Sequence, residues 1–147
     1  MSTLVEIMTA LSDQIRAELC GTADPLIEQL QTYPLLTFNP TPPSVDVYPA
    51  DPFQEGLAFG KGNNTVFLTV RARVAPADQG AGQTLLLSMM DPTSTTSLAQ
   101  AVLSNRTLGN KVERVDIDGP TNYGIFIDPG AQGEALLGCT WRVRVMP

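Results

Sequence analysis

Residues 56–62, Gly-Leu-Ala-Phe-Gly-Lys-Gly, set a lysine in a glycine-rich run, the composition of a loop that wraps a phosphate. Such a loop aims successive backbone N–H groups and a helix N-terminus at the anion. It needs four residues between its first glycine and the Gly-Lys pair, then Ser or Thr for magnesium. Here three residues intervene and Gly62 follows Lys61. The run also leads into an alternating stretch, Val66 to Val74, where a strand is expected in place of a helix. It therefore reads as a turn.

Residues 116–122, Asp-Ile-Asp-Gly-Pro-Thr-Asn, space two aspartates as a calcium loop does. Pro120 then stands where Asp or Asn is required and Thr121 where Gly is required, so the match fails. On a strand Arg114, Asp116 and Asp118 share a face, which reads as solvent-facing charge. Histidine is absent, removing the commonest general base and zinc ligand. Carboxylates such as Asp46 and Asp51 read as surface charge, and no catalytic, cofactor or metal residue is assigned.

Two Arg-x-Arg pairs, Arg71 with Arg73 and Arg142 with Arg144, lie opposite the apolar parity of their strands. If those strands are neighbours, the four arginines form one basic stripe. The stripe is either an exposed sheet face neutralised by Asp116 and Asp118 or a charged subunit interface.

The elements that must carry these residues follow from periodicity. Leu4, Ile7, Met8, Leu11, Ile15 and Leu19 keep helical spacing, with Thr3 and Glu6 as a capping box and Gly21 as a stop, predicting a helix over about 3–20. Asp24-Pro25 suits the start of a short helical turn. Six prolines between Tyr33 and Pro52 forbid helix and confine "SVDVY" to a short, edge-like strand. "TVFLTVRARVA" alternates as a half-buried strand. "GQTLLLSMMD" reads as a buried helix ending before Asp91-Pro92, and Ser97 caps a further helix, "LAQAVLSN". The last forty residues predict a three-strand meander over about 111–146, "KVERVDID", "NYGIFID" and "EALLGCTWRVRVM", parted by "GPT" and "PGAQG".

This order describes one α+β domain over 1–147, a largely antiparallel or mixed sheet of about four to five strands with two to three helices on one face. A chain of 147 residues buries roughly two-thirds of its unfolded surface. Hydrophobic residues at 43% and charged residues at 16% suit a folded chain, and 12 Gly and 12 Pro a loop-rich one. A net charge of −6 opposes general attraction to nucleic acid or anionic membrane. Cys20 and Cys139 lack CxxC spacing and read as reduced thiols. The N-terminus lacks a signal peptide's basic region and unbroken apolar stretch, and nowhere do eighteen apolar residues run together. The chain is thus expected to stay where it is made, and the sequons at Asn63 and Asn105 carry no meaning.

Three local features, Phe59-Gly60-Lys61-Gly62 before "TVFLTVR", Arg106-Thr107-Leu108-Gly109 after a helix, and Leu137-Gly138 leading into Trp141, Val143 and Val145, occur in a familiar order. With the Pro-rich lead-in over 33–52, which ends in "PTPPSVDVYPADP", they resemble tail terminator or head-to-tail connector proteins of long-tailed bacteriophages, notably those of actinobacteria, across nearly the whole chain. The loop "MMDPTSTTSLAQ" is more Thr-rich and less charged than that family's pattern.

The resemblance implies a non-enzymatic virion protein, assembled in the host cytoplasm, whose subunits form a ring, typically a hexamer. That ring caps the tail tube protein at its head-proximal end and joins it to the head connector. DNA passes its channel without specific binding, and no cofactor or membrane is involved. Residues 50–65 would be a loop or hairpin arm reaching a neighbour, with Phe53 and Phe59 either interface anchors or plugs in the domain's own core. Phe53, Phe59, Lys61, Arg71, Arg73, Arg142 and Arg144 are the candidate interface residues. A head-completion or stopper protein of the same neck is the alternative role. From another class, a small ligand-binding or carboxylate-dependent enzyme domain would need a pocket between helices and sheet.

Overall fold

Thr3 starts the first helix by accepting the Glu6 N–H on its hydroxyl at 3.2 Å, and the helix α1 runs Leu4–Leu19. Its stripe of Ile7, Met8, Leu11, Ile15 and Leu19 is buried. The protein is described by a computed structural model over residues 3–20, 30–36, 42–51, 65–75, 80–127 and 135–146. The expected turn at Asp24-Pro25, the stop at Gly21 and most of the 50–65 loop lie outside the described residues.

After α1 come strands β1 (Gln31–Tyr33), β2 (Ser44–Pro49) and β3 (Val66–Val74) and helices α2 (Gly80–Met90) and α3 (Leu98–Leu103). Strands β4 (Arg114–Ile117), β5 (Thr121–Ile127) and β6 (Ala135–Met146) end the chain. The six strands form one mixed sheet in the order β1-β2-β3-β6, with β4 and β5 both on the far side of β6. Only β1 and β2 are parallel among these pairs. The described residues are therefore α+β, with a mixed sheet and three helices.

Register explains the core. Val45 and Val47, then Val66, Leu68, Val70, Ala72 and Val74, then Cys139, Trp141, Val143 and Val145 share one sheet face across the paired strands. All are buried with the apolar stripes of α1, α2 and α3. Each buried Val or Leu among them contributes roughly 1.5–3 kcal/mol on leaving water. Gly82 lets α2 come close to the end of β3: a Cβ there would stand 3.2 Å from that of Ala75.

Polar residues at helix ends are occupied. Gln14, beside the α1 stripe, donates from Nε2 to the carbonyls of Ala101 and Val102 at 3.0 and 2.8 Å, satisfying groups that a six-residue helix leaves open. Ser97 caps α3 by accepting the Gln100 N–H. In the Thr-rich loop, Asp91 accepts the N–H and hydroxyl of Thr93, and the N–H bond leads in holding its carboxyl below the ordinary value. Thr96 donates its hydroxyl to Ser88 on α2 at 2.9 Å. The unusual composition of this loop is thus used in an internal hydrogen-bond network.

Three sequence expectations need correction. Strand β2 is interior, between β1 and β3, because the prolines fall around it and only Pro49, its last residue, lies in it. Strand β3 is buried on both faces, with only Thr69 half-buried, because it is central and its polar face is covered too. The last three strands do not form a meander: β4 pairs with residues 143–146 of β6 and β5 with residues 135–140, so they lie end to end along one edge.

Candidate subunit interface

The face of the sheet away from the helices carries the four arginines. Pairing sets Asp46 opposite Arg71, Ser44 opposite Arg73 and Tyr48 opposite Thr69, while Arg73, Arg71, Thr69 and Phe67 face Gly138, Thr140, Arg142 and Arg144. Both Arg-x-Arg pairs therefore share a face on adjacent strands, as their parity predicts.

They do not form an exposed stripe. The Asp46 carboxylate accepts Arg71 in a bidentate pair, Nε to Oδ1 at 3.1 Å and Nη2 to Oδ2 at 2.7 Å, and Arg73 Nη2 approaches Oδ2 at 3.5 Å. The Asp46 side chain is 0% exposed, Arg73 1% and Arg71 10%. The guanidinium of Arg71 also lies 5.3 Å from the Tyr48 ring and 5.9 Å from Phe126, within cation–π range. Burial raises the Tyr48 phenol above its ordinary value, with Arg71 opposing it. The expected exposure of Arg71 and Arg73, and of Asp46 as surface charge, is thus corrected: desolvated charges persist only when paired, and these three pair with one another.

The second pair differs. Arg142 is half-buried with its guanidinium 3.8 Å from the Phe67 ring centroid. Arg144 is 45% exposed, with Nη2 3.8 Å from Asp118. Asp116 instead accepts Arg106 and Arg114, each at 3.2 Å. The neutralising role expected of Asp116 and Asp118 thus extends to Arg144 alone of the four, through Asp118. Phe53, Phe59 and Lys61 lie outside the described residues.

Close strand approach depends on Gly138, where a Cβ would meet the Ala72 carbonyl oxygen at 2.5 Å and Phe126 at 3.0 Å. Beside it, residues 50, 51, 69, 121, 122 and 140–142 line a cavity of about 180 Å³. That is smaller than the roughly 300–1,000 Å³ of ordinary ligand pockets. Among the described residues no three His, Cys, Asp or Glu side chains gather as a metal would need, and no helix is long and apolar enough to cross a membrane.

Periodicity pointed past the exposed edge. Tyr123, Ile125 and Ile127 of β5 are 42%, 52% and 64% exposed, although their parity reads as a core-facing row. Ile125 does stand opposite buried Leu137, on the helix side of the sheet. But β5 lies beyond β6, at the margin of α2. The Gln83 amide of α2 donates to the Tyr123 hydroxyl at 3.2 Å, and Leu87, one turn on, is 49% exposed. The overlooked signal is the lack of any charge in residues 119–127.

Among the described residues, the edge shared by β4 and β5 is guarded at its β4 end. The Val115 N–H of β4 donates to the Arg106 carbonyl at 2.9 Å, and Arg106, Arg114 and Asp116 surround it with charge. Residues 105–110 make that cover, with Asn105 accepting Thr107 and with Leu108, Gly109 and Asn110 at positive φ. Strand β5 pairs only with β6 among the described strands. No protein-family model matches this chain, and no curated protein matches it.

Proposed function

We propose that this chain is the subunit of a ring that closes the head-proximal end of a long-tailed phage's tail tube, stopping tube growth and joining the tail to the head connector. The reading rests on the family resemblance. The observation that carries it is the uncharged, apolar edge strand β5 on a sheet whose polar face is locked internally. Exposed apolar rows on an open strand mark protein association surfaces. A charge of −6 also suits a channel through which DNA passes without sticking, since a basic lining would hold the phosphates.

Solution mass and negative-stain imaging, with and without tail tube protein, test it: rings, or caps on tube ends, are expected. Persistent monomers in the mixture would sink it. Particles lacking the protein should show overlong tails detached from heads. Filled heads with no tails would instead assign the stopper role.

A further inference from the structure

Among the described strands, β5 lies on one of the sheet's two unpaired edges. At the opposite end of the sheet β1 pairs only with β2 among the described strands, and its Gln31 N–H turns inward to the Pro43 carbonyl at 3.0 Å. Amides alternate sides along a strand, so the Thr32 N–H points outward, away from β2. Leu35 and Leu36, just past β1, are 57% and 47% exposed.

The exposed large apolar side chains of the described residues cluster at these two ends. Tyr123, Ile125, Ile127 and Leu87 belong to the β5 end, Leu35 and Leu36 to the β1 end, and Val5 to α1, the helix that packs on β1 and β2. Charge is distributed the other way. Residues 30–36 and 119–127 contain no Asp, Glu, Lys or Arg, in a chain with 15 acidic and nine basic residues. Between copies carrying −6 each, two charge-free edges meet without local repulsion, and both β1 and β5 are edges of that kind.

Strand direction fits as well. Since β5 and β3 both oppose β6, while β2 opposes β3 and β1 runs with β2, β5 runs opposite to β1. A second copy continuing the sheet with its helices on the same side therefore presents β1 antiparallel to β5, the more stable pairing. We infer that the open β5 edge of one copy pairs antiparallel with the open β1 edge of the next, carrying the sheet from subunit to subunit around a closed ring. This rests on the ring reading above. A two-fold β5–β5 dimer would leave Leu35 and Leu36 in water, whereas the head-to-tail contact covers both ends and is the kind that repeats into a ring when its rotation closes.

Two variants test the pairing in sedimentation experiments. Ile125→Lys puts a charge on the β5 edge at an exposed position, and Thr32→Pro removes the outward donor of β1. Leu36→Lys repeats the second change without altering the strand backbone, and circular dichroism checks the fold of all three. Wild-type protein is expected as a multi-subunit species and each variant as a 15.8 kDa monomer. An equimolar mixture of Ile125→Lys with either β1-end variant should give a one-to-one dimer, through the intact edge of each. Dimers of Thr32→Pro or Leu36→Lys alone would establish two-fold pairing and overturn the inference. So would wild-type sedimentation of Ile125→Lys, even if rings form, or a wild-type protein that stays monomeric. Rings that assemble by this rule yet leave tail tubes uncapped would support the inference and break the terminator reading.

Discussion

Two aspartate–arginine clusters occupy the same face of this sheet with nearly the same chemistry and opposite surroundings. Asp46 holds Arg71 and Arg73 out of water, at 0%, 10% and 1% exposure. Asp116 meets Arg106 and Arg114 at 26%, 47% and 54% exposure. The difference lies in position across the sheet. Asp46 sits on β2 between two strands, whereas Asp116 sits on β4 at the margin. A buried pair is costly to break because the surviving charge is left without water, while an exposed pair is replaced by solvent. The first cluster locks β2 to β3, and the second guards an edge against other strands.

The contrast is broken most sharply at its buried end. Asp46→Ala is expected to lower unfolding free energy by about 3–5 kcal/mol in urea melts, because it removes the carboxylate that both buried guanidinium groups bond. A loss near 1 kcal/mol would show that water reaches the cluster. Gly138→Ala, beneath the same face, should cost about 1–3 kcal/mol, since its Cβ would sit 2.5 Å from the Ala72 carbonyl oxygen. The control is Gly124→Ala on the partner strand β5, where a Cβ meets nothing within 4 Å; about 0.5 kcal/mol or less is expected. At the exposed end Asp116→Ala should cost about 0–1 kcal/mol, and that small loss should vanish in roughly 1 M salt.

The cysteines probe the same division between margin and interior without a stability measurement. Burial pushes the Cys139 thiol up to about 12, while Cys20 is only half-buried. In native protein near neutral pH an alkylating reagent should label Cys20 first, with Cys139 reacting only on unfolding. A fast native reaction at Cys139 would contradict its burial. Because folding keeps that thiol neutral, its contribution to stability is full below its ordinary value of 9 and is lost as pH climbs toward about 12.

Much of the fold was legible where a residue's neighbours in sequence are also its neighbours in space. The capping box of Thr3 and Glu6, the Ser97 cap, and the parity of Val66 to Val74 are local signals, and the helices and strands follow them. Strand placement is not local. The alternation of β5 matches that of a core strand, yet its Ile125 and Ile127 remain in water because β5 lies outside β6. Likewise Asp46, flanked by Val45 and Val47, has nothing in its surroundings along the chain that announces a buried ion pair; its partner is 25 residues away.

The amino-acid sequence by itself determined which residues share a face, which segments are helical, and that two stretches around strands would be free of charge. Periodicity and capping are set by bonds within a few residues, so no distant contact is needed to read them. Only the tertiary structure decided which arginines are buried and which edge is left open. Both depend on strand order, and strand order is settled by contacts between residues far apart in the chain.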